Sequence, residues 1–199
     1  MNFFGGDDHM SNPFEVISKW IEHAHEIGES DAEAMDIATV DHSGMPNVRI
    51  VYARQIEDNG VVFYTNYNGR KGIELENGKG AANFFFKKEQ RQLRLRGVVE
   101  KVSTAQSDAY FASRAEGSRL GAWVSQQSQP LESREKMMAE WDAMPKDKAG
   151  QRPPHWGGYR LIPNEIEFWA MGEFRLHDRF RWTRSDLAVQ NWKVERLYP

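Results

Sequence analysis

Apolar and polar positions recur with two different periods along this chain, and the change of period divides it. Asn12-Pro13-Phe14-Glu15 has the form of a helix start, with Asn as cap, Pro in the first turn and Glu three residues after the cap. Phe14, Ile17, Trp20, Ile21 and Ala24 follow at helical spacing on one face, which predicts an amphipathic helix to about Ile27. Residues 28–33 read as a loop. Beyond it the period shortens to two. Residues 35–40, 48–55 and 61–66 are β-rich runs, with Ser43-Gly44 and Asn59-Gly60 where tight connections are expected. Residues 81–86 and 90–102 predict a second hairpin. There Leu93 and Leu95 alternate with Gln92, Arg94 and Arg96, so the leucines face a core and the polar three face away from it.

Short helices are expected at residues 70–76, 104–113 and 118–126. Ser103-x-x-Gln106 supplies a capping-box signature for the second of them. Residues 133–144 predict a further amphipathic helix, followed by a Lys/Pro/Gly-rich loop through Pro154. Strands at 159–162, 165–170, 174–183 and 191–197 complete the pattern. No internal repeat or linker interrupts it. Many short antiparallel strands with peripheral helices favour a mainly β architecture of the α+β kind, a barrel with attached helices. It is expected as one domain over residues 12–199, after a Gly/Asp-rich tail at residues 1–11 expected to be mobile.

Composition narrows the function. The 199 residues are 40% hydrophobic and 28% charged, a globular balance. The net charge of −3 gives no global basic field to recruit nucleic acid. The absence of cysteine excludes a disulfide framework, thiolate catalysis and cysteine-ligated metal. No apolar run approaches the ~20 residues that span a bilayer, and the start lacks the pattern of a signal peptide, so a cytoplasmic protein without membrane partners is expected.

Cations beside aromatic side chains carry the candidate chemistry. The C-terminal stretch holds Trp169, Arg175, His177, Arg179, Trp192, Arg196 and Tyr198, a density that suggests a site for a flat, anionic ligand. Arg70-Lys71 opens an expected helix directly after Tyr64-Thr65-Asn66. Cations there oppose the helix dipole, which makes sense if a phosphate occupies the position. A solvated pair on an exposed turn explains them equally well. Arg49 and Arg54 flank Ile50-Val51-Tyr52-Ala53 and point to opposite faces unless a bulge intervenes. Together with Arg70 and Lys71 they would form a phosphate cradle. His23 and His25, two apart on a helix, make a poor metal pair, and no Ser/His/Asp triad or HExxH motif appears. Only His177 stands among other candidates, with Arg175 two positions before it and expected on the same strand face.

Ordered motifs then extend over residues 12–199. They comprise Arg49-Ile50-Val51, Phe63-Tyr64-Thr65-Asn66 with Arg70-Lys71, Arg91-Gln92, and Tyr110-Phe111-x-Ser113-Arg114. Next come Gly121-Ala122-Trp123-Val124-Ser125 with Gln127-Ser128, and Trp156-Gly157-Gly158. Ile166-Glu167-Phe168-Trp169, Arg175-Leu176-His177-Asp178-Arg179 and Arg196-Leu197-Tyr198-Pro199 close the set. In these segments the chain resembles the pyridoxine (pyridoxamine) 5′-phosphate oxidase family.

The resemblance implies a split β-barrel that forms a homodimer, with flavin mononucleotide (FMN) in clefts between subunits and no metal. It implies oxidation of pyridoxamine or pyridoxine 5′-phosphate to pyridoxal 5′-phosphate, with O2 reduced to H2O2. FMN contacts would fall on Arg49, Ile50, Val51, Tyr52, Ala53, Arg54, Tyr64, Thr65, Arg70, Lys71, Gln92, Gln127, Ser128, Trp169 and Arg179. Tyr110, Arg114 and Ser118 would hold the substrate phosphate, with Arg54 at the position of a family lysine. Arg175, Leu176 and His177 would lie over the substrate ring. The expected step is hydride transfer from substrate C4′ to flavin N5, with Arg175 clamping the substrate and His177 orienting its ring hydroxyl. Two departures mark this chain: residues 1–11 contain neither the Arg nor the Tyr that many members carry ahead of the first helix, and Arg54 replaces the lysine's point charge by a planar fork. Asp31 matches a family aspartate near the substrate. A non-catalytic FMN or pyridoxal phosphate binding protein, and a split-barrel flavin reductase or deazaflavin-dependent enzyme, are the alternatives.

Overall fold

The computed structural model describes residues 12–199, so the expected tail at residues 1–11 lies outside the described residues. Helix α1 (Pro13–Glu26) begins at the cap, where the Asn12 side chain accepts the Phe14 amide at 3.0 Å. Its stripe of Phe14, Val16, Ile17, Trp20, Ile21 and Ala24 is buried. Trp20 meets Phe86 and Phe168 edge-on, with ring centroids 6.0 and 5.1 Å apart, and so packs α1 against one face of the sheet. Phe63, Phe84, Ile37, Leu93, Leu95 and Ile166 complete that core.

Nine antiparallel strands make one sheet. They are β1 (Ala34–Val40), β2 (Pro46–Tyr52), β3 (Gln55–Glu57), β4 (Gly60–Asn66), β5 (Lys79–Phe86), β6 (Arg91–Lys101), β7 (Trp156–Ala170), β8 (Asp178–Thr183) and β9 (Lys193–Leu197). The path runs β2-β1-β5-β6-β7-β4-β3, and β8 with β9 extends from the second half of β7. Although β2 and β3 are opposite ends of that path, only Ala53 and Arg54 separate them. The Arg54 amide donates to the Val62 carbonyl of β4 at 2.8 Å, so the two ends meet and the sheet curls into an incomplete barrel. Gln92, Arg94 and Arg96 of β6 lie on the face opposite the core, as their alternation predicts.

Several expected elements differ in detail. The run at 48–55 breaks at Ala53, because its first part pairs with β1 and its last residues with β4. The strands expected at 159–162 and 165–170 are one strand. Pro163 lacks an amide hydrogen, and it sits where the register with β6 shifts between Arg96 and Gly97. Gly97 is required there, since a Cβ would lie 2.1 Å from the Ile162 carbonyl oxygen. The strand expected from 174 starts only at Asp178. Phe174 and Arg175 have φ of 56° and 65°, so Arg175 and His177 do not share a strand face.

The helical stretches are α2 (Arg70–Glu74) with a 3-10 turn over Leu75–Asn77, α3 (Thr104–Ser113), α4 (Glu116–Val124) and α5 (Arg134–Ala143). Ser103 caps α3 through the Gln106 amide at 3.1 Å, but the Gln106 side chain reaches Gln55 and Glu57 instead of closing the box. Helix α5 forms without the buried face expected of it: none of its residues is buried. Among the described residues, no helix is long and apolar enough to cross a membrane.

Candidate functional site

A polar cleft of about 340 Å³ opens where β2 approaches β4. Arg49, Ile50, Val51, Tyr52, Arg54, Tyr64, Thr65, Lys71, Tyr110, Arg114 and Gln127 all line it, and with Trp156 the lining is drawn from sequence positions up to 107 apart (156 minus 49). Among the described residues, strand β2 is paired on one side only, by β1, so backbone donors and acceptors of its other edge are available to a ligand. Ala53 is buried behind the cleft, and Arg70, Ser118 and Ser128 are not among its walls.

Each cation of the cleft is held differently. Lys71 Nζ donates to Thr65 Oγ1 at 3.0 Å and Gln127 Oε1 at 2.6 Å, and burial, followed by the charge of Arg49, pushes its pKa down. Arg49 donates to Thr39 Oγ1 at 2.5 Å and Glu74 Oε2 at 3.0 Å. Glu74 is 4% exposed and also accepts from Thr39, Asn47 and Arg70. Burial opposes its ionisation, but those hydrogen bonds outweigh the burial and hold its pKa at about 2. The Arg70 side chain therefore meets an internal counterion, Glu74, at 2.9 Å, while its amide donates to Ser128 Oγ at 3.1 Å. The unfavourable position of Arg70 at the start of α2 is compensated from within the helix.

Aromatic rings build the far wall. Tyr64 stacks on Tyr110 at 3.8 Å and 12°, and on Trp156 at 5.7 Å and 13°. Arg114 caps α3 in an extended conformation and lays its guanidinium 4.5 Å from the Trp156 centroid. Burial lowers the Arg114 pKa, and its buried Nη1 has no hydrogen-bond partner among the described residues. Ser118 is exposed on the first turn of α4. Trp156, absent from the expected site residues, stands at the head of the Trp156-Gly157-Gly158 motif and belongs to the cleft.

The remaining candidates gather elsewhere. Gln92, Trp169 and Arg179 are cross-strand neighbours on the open face of the sheet. Glu167, buried beside them, pairs with both Arg179 (2.8 Å) and Arg94. Burial again opposes ionisation of Glu167, and the two arginines reverse that and lower its pKa. The Arg179 guanidinium also donates to the Tyr198 carbonyl at 3.0 Å. The His177 ring lies 4.7 Å from Trp169, and with Leu176 it borders a second hollow of about 370 Å³ under residues 196–199. Arg175 and Leu176 are exposed. Within one chain these side chains do not line the first cleft. His23 and His25 pair with carboxylates, and among the described residues no group of three His, Cys, Asp or Glu gathers as metal ligands would.

Comparison with known proteins gives the family of the chain. Residues 21–144 match the family model described as pyridoxamine 5′-phosphate oxidase, and residues 156–199 match the pyridoxine 5′-phosphate oxidase C-terminal dimerisation region. A pyridoxine/pyridoxamine 5′-phosphate oxidase of Ruegeria sp. strain TM1040 is 51% identical over 98% of this chain and 96% of its own length. One from Cereibacter sphaeroides is 48% identical over 98% and 97%. Among solved structures, PhzG of Burkholderia lata 383, in complex with tetrahydrophenazine-1-carboxylic acid, superposes with a TM-score of 0.88 at 29% identity, over 97% of this chain and 95% of that one. A pyridoxamine 5′-phosphate oxidase-related, FMN-binding protein of Nostoc punctiforme shares the fold at a TM-score of 0.77 and 18% identity, covering 94% and 98%. The incomplete barrel is thus the split barrel of these FMN-binding proteins. The donor set of the cleft suits that cofactor: Lys71 and Arg49 bring positive charge to one end, and the free edge of β2 offers backbone groups along a planar ring. This chain belongs to the pyridoxamine 5′-phosphate oxidase family and takes FMN as its cofactor.

Proposed function

We propose that the protein oxidises pyridoxamine 5′-phosphate and pyridoxine 5′-phosphate to pyridoxal 5′-phosphate. The observation that carries this reading is Arg114 Nη1, a buried guanidinium nitrogen without a partner among the described residues, beside Tyr110 and the Trp156 ring. A buried donor of this kind calls for an anion, and a substrate phosphate supplies one. Tyr110 and Arg54 border the same cleft, and Ser118 follows on the next helix.

Lys71, Thr65, Arg49 and Gln127 hold the cofactor phosphate, with Arg70 and Ser128 beside them. The β2 edge from Ile50 to Ala53 would offer its backbone groups to the flavin ring. Gln92, Trp169 and Arg179 reach the cofactor from a second copy of the chain, because they lie outside the cleft of their own chain and inside or next to the segment that matches a dimerisation region. A homodimer with two shared sites follows. The partner subunit's Arg175 clamps the substrate ring, and the partner subunit's His177 bonds to its ring oxygen. Bound FMN would supply the two-electron acceptor for hydride leaving substrate C4′, with O2 as the final oxidant that becomes H2O2. The protein's own contribution is position and charge.

PhzG motivates a second reading, in which Arg114 and the aromatic wall receive an aromatic carboxylate in place of a phosphate ester. One experiment separates the two. The yellow holoenzyme, freed of oxygen, is mixed with pyridoxamine phosphate, pyridoxine phosphate or a dihydroaromatic carboxylic acid. Bleaching by the B6 phosphates, with colour restored on aeration, is the expected result. Bleaching by the carboxylic acid alone would replace the first reading by the second.

A further inference from the structure

The loop between β7 and β8 holds an uncommon backbone. Phe174 and Arg175 are consecutive non-glycine residues at positive φ, a state that needs support from its surroundings. Gly172 provides it. A Cβ at this position would lie 2.0 Å from the Leu176 carbonyl oxygen and 2.8 Å from its carbon, so only glycine allows the loop to close. The closure is completed by the Leu176 amide, which donates to the Glu173 carbonyl at 2.9 Å.

The same glycine touches His177. Its amide donates to His177 Nδ1 at 3.3 Å. A backbone N–H can only donate, so Nδ1 must present its lone pair, and the proton of the neutral imidazole then sits on Nε2. The ring rests against Trp169 at 4.7 Å, and among the described residues Nε2 has no hydrogen-bond partner. We propose that Gly172 is a positioning residue that holds His177 as the Nε2–H tautomer, so that His177 meets the substrate as a hydrogen-bond donor and not as a proton acceptor. This rests on the reading that places His177 over the substrate. Its chemical consequence is selectivity: a fixed Nε2–H suits a pyridine whose ring hydroxyl has already lost its proton, and disfavours one whose hydroxyl must itself donate.

The test reads the ring nitrogens of His177 by NMR in nitrogen-15-histidine-labelled holoenzyme. The signals are assigned by their loss in His177→Gln, and turnover of pyridoxamine phosphate is measured in parallel. The wild type is expected to show the Nε2–H tautomer. Gly172→Ala is expected to show mixed tautomers, FMN binding within twofold of wild type, and kcat reduced by about a hundredfold, the scale of a misplacement of about 1 Å. A wild-type ring protonated on Nδ1, or exchanging between tautomers, overturns the proposal, and this measurement decides even if Gly172→Ala does not fold. Wild-type kcat in a folded Gly172→Ala enzyme overturns it as well. An Nε2–H ring in a protein that oxidises neither B6 phosphate supports the tautomer and removes the functional reading; an Nδ1–H ring in an active oxidase does the reverse.

Discussion

Arg114 lies 4.5 Å over the ring of Trp156, fixed by stacking on one face while its buried Nη1 has no hydrogen-bond partner among the described residues. Arginine held in this way is oriented before any ligand arrives. A phosphate bound there, as proposed, would lose little of its binding energy to ordering the side chain.

Replacing Arg114 by Ala should therefore raise KM for both B6 phosphates by about thirtyfold or more, since removing one partner of a buried charge pair costs about 2–5 kcal/mol. Arg114→Lys should recover only part, because an ammonium lacks the planar fork. Steady-state kinetics decide the matter. An unchanged KM in Arg114→Ala would remove this residue from the phosphate site.

Lys71 is held in the cleft between two polar partners, Thr65 and Gln127. Lys71→Met should weaken FMN binding by about tenfold to a hundredfold, the equivalent of about 1.5–3 kcal/mol for a hydrogen bond to a charged group. Titration of the apoprotein by quenching of flavin fluorescence measures it. Equal affinity in the variant would place the cofactor phosphate elsewhere.

Glu74 makes the cleft sensitive to acid. Its pKa falls from 4.5 to about 2 in the folded protein, so its stabilising effect is complete above the unfolded value and is lost as pH falls through the folded one. The difference in Tm between wild type and Glu74→Gln should accordingly be constant above pH 4.5 and shrink between pH 4.5 and 2, as far down as both proteins fold. Thermal melts across that range check the sign. A gap that widens with acidification would contradict the assignment of Glu74 as the ionised anchor of Arg49 and Arg70.

The proposed sharing of each site between two chains would have its own signature. Arg114→Ala and His177→Ala each damage both sites of their own homodimer. In a hybrid dimer of the two variants, one site receives both substitutions and the other receives neither. Mixing and refolding the two should restore activity, with one wild-type site per hybrid. No gain over the separate variants would mean that Arg114 and His177 serve one site from the same chain.

Much of this architecture is legible in residue order. The capped stripe of α1 and the alternation of Leu93 and Leu95 with Gln92, Arg94 and Arg96 report faces directly, because side-chain direction repeats with the backbone period. The motif Trp156-Gly157-Gly158 marks a cleft wall, yet its tryptophan went unassigned to the site, since a buried aromatic ring reads the same in a core as beside a ligand. Helix α5 misled in the opposite sense: the amphipathic face expected over residues 133–144 is left unburied. Glu74, four residues after Arg70, was open to discovery by helical spacing.

Sequence alone determined most strands and helices, the balance of charge and the identity of the candidate cations, because each depends on neighbours within a few residues. Tertiary structure decided which of those cations stay free. Thr39 and Glu74 are 35 residues apart, and Lys71 and Gln127 are 56 apart, so no local pattern encodes their contact. It also decided that Arg175 and His177 leave the strand they were expected to share. Their loop exists only because the backbone of Leu176 returns to within a missing Cβ of Gly172, a close approach through space that periodicity cannot express.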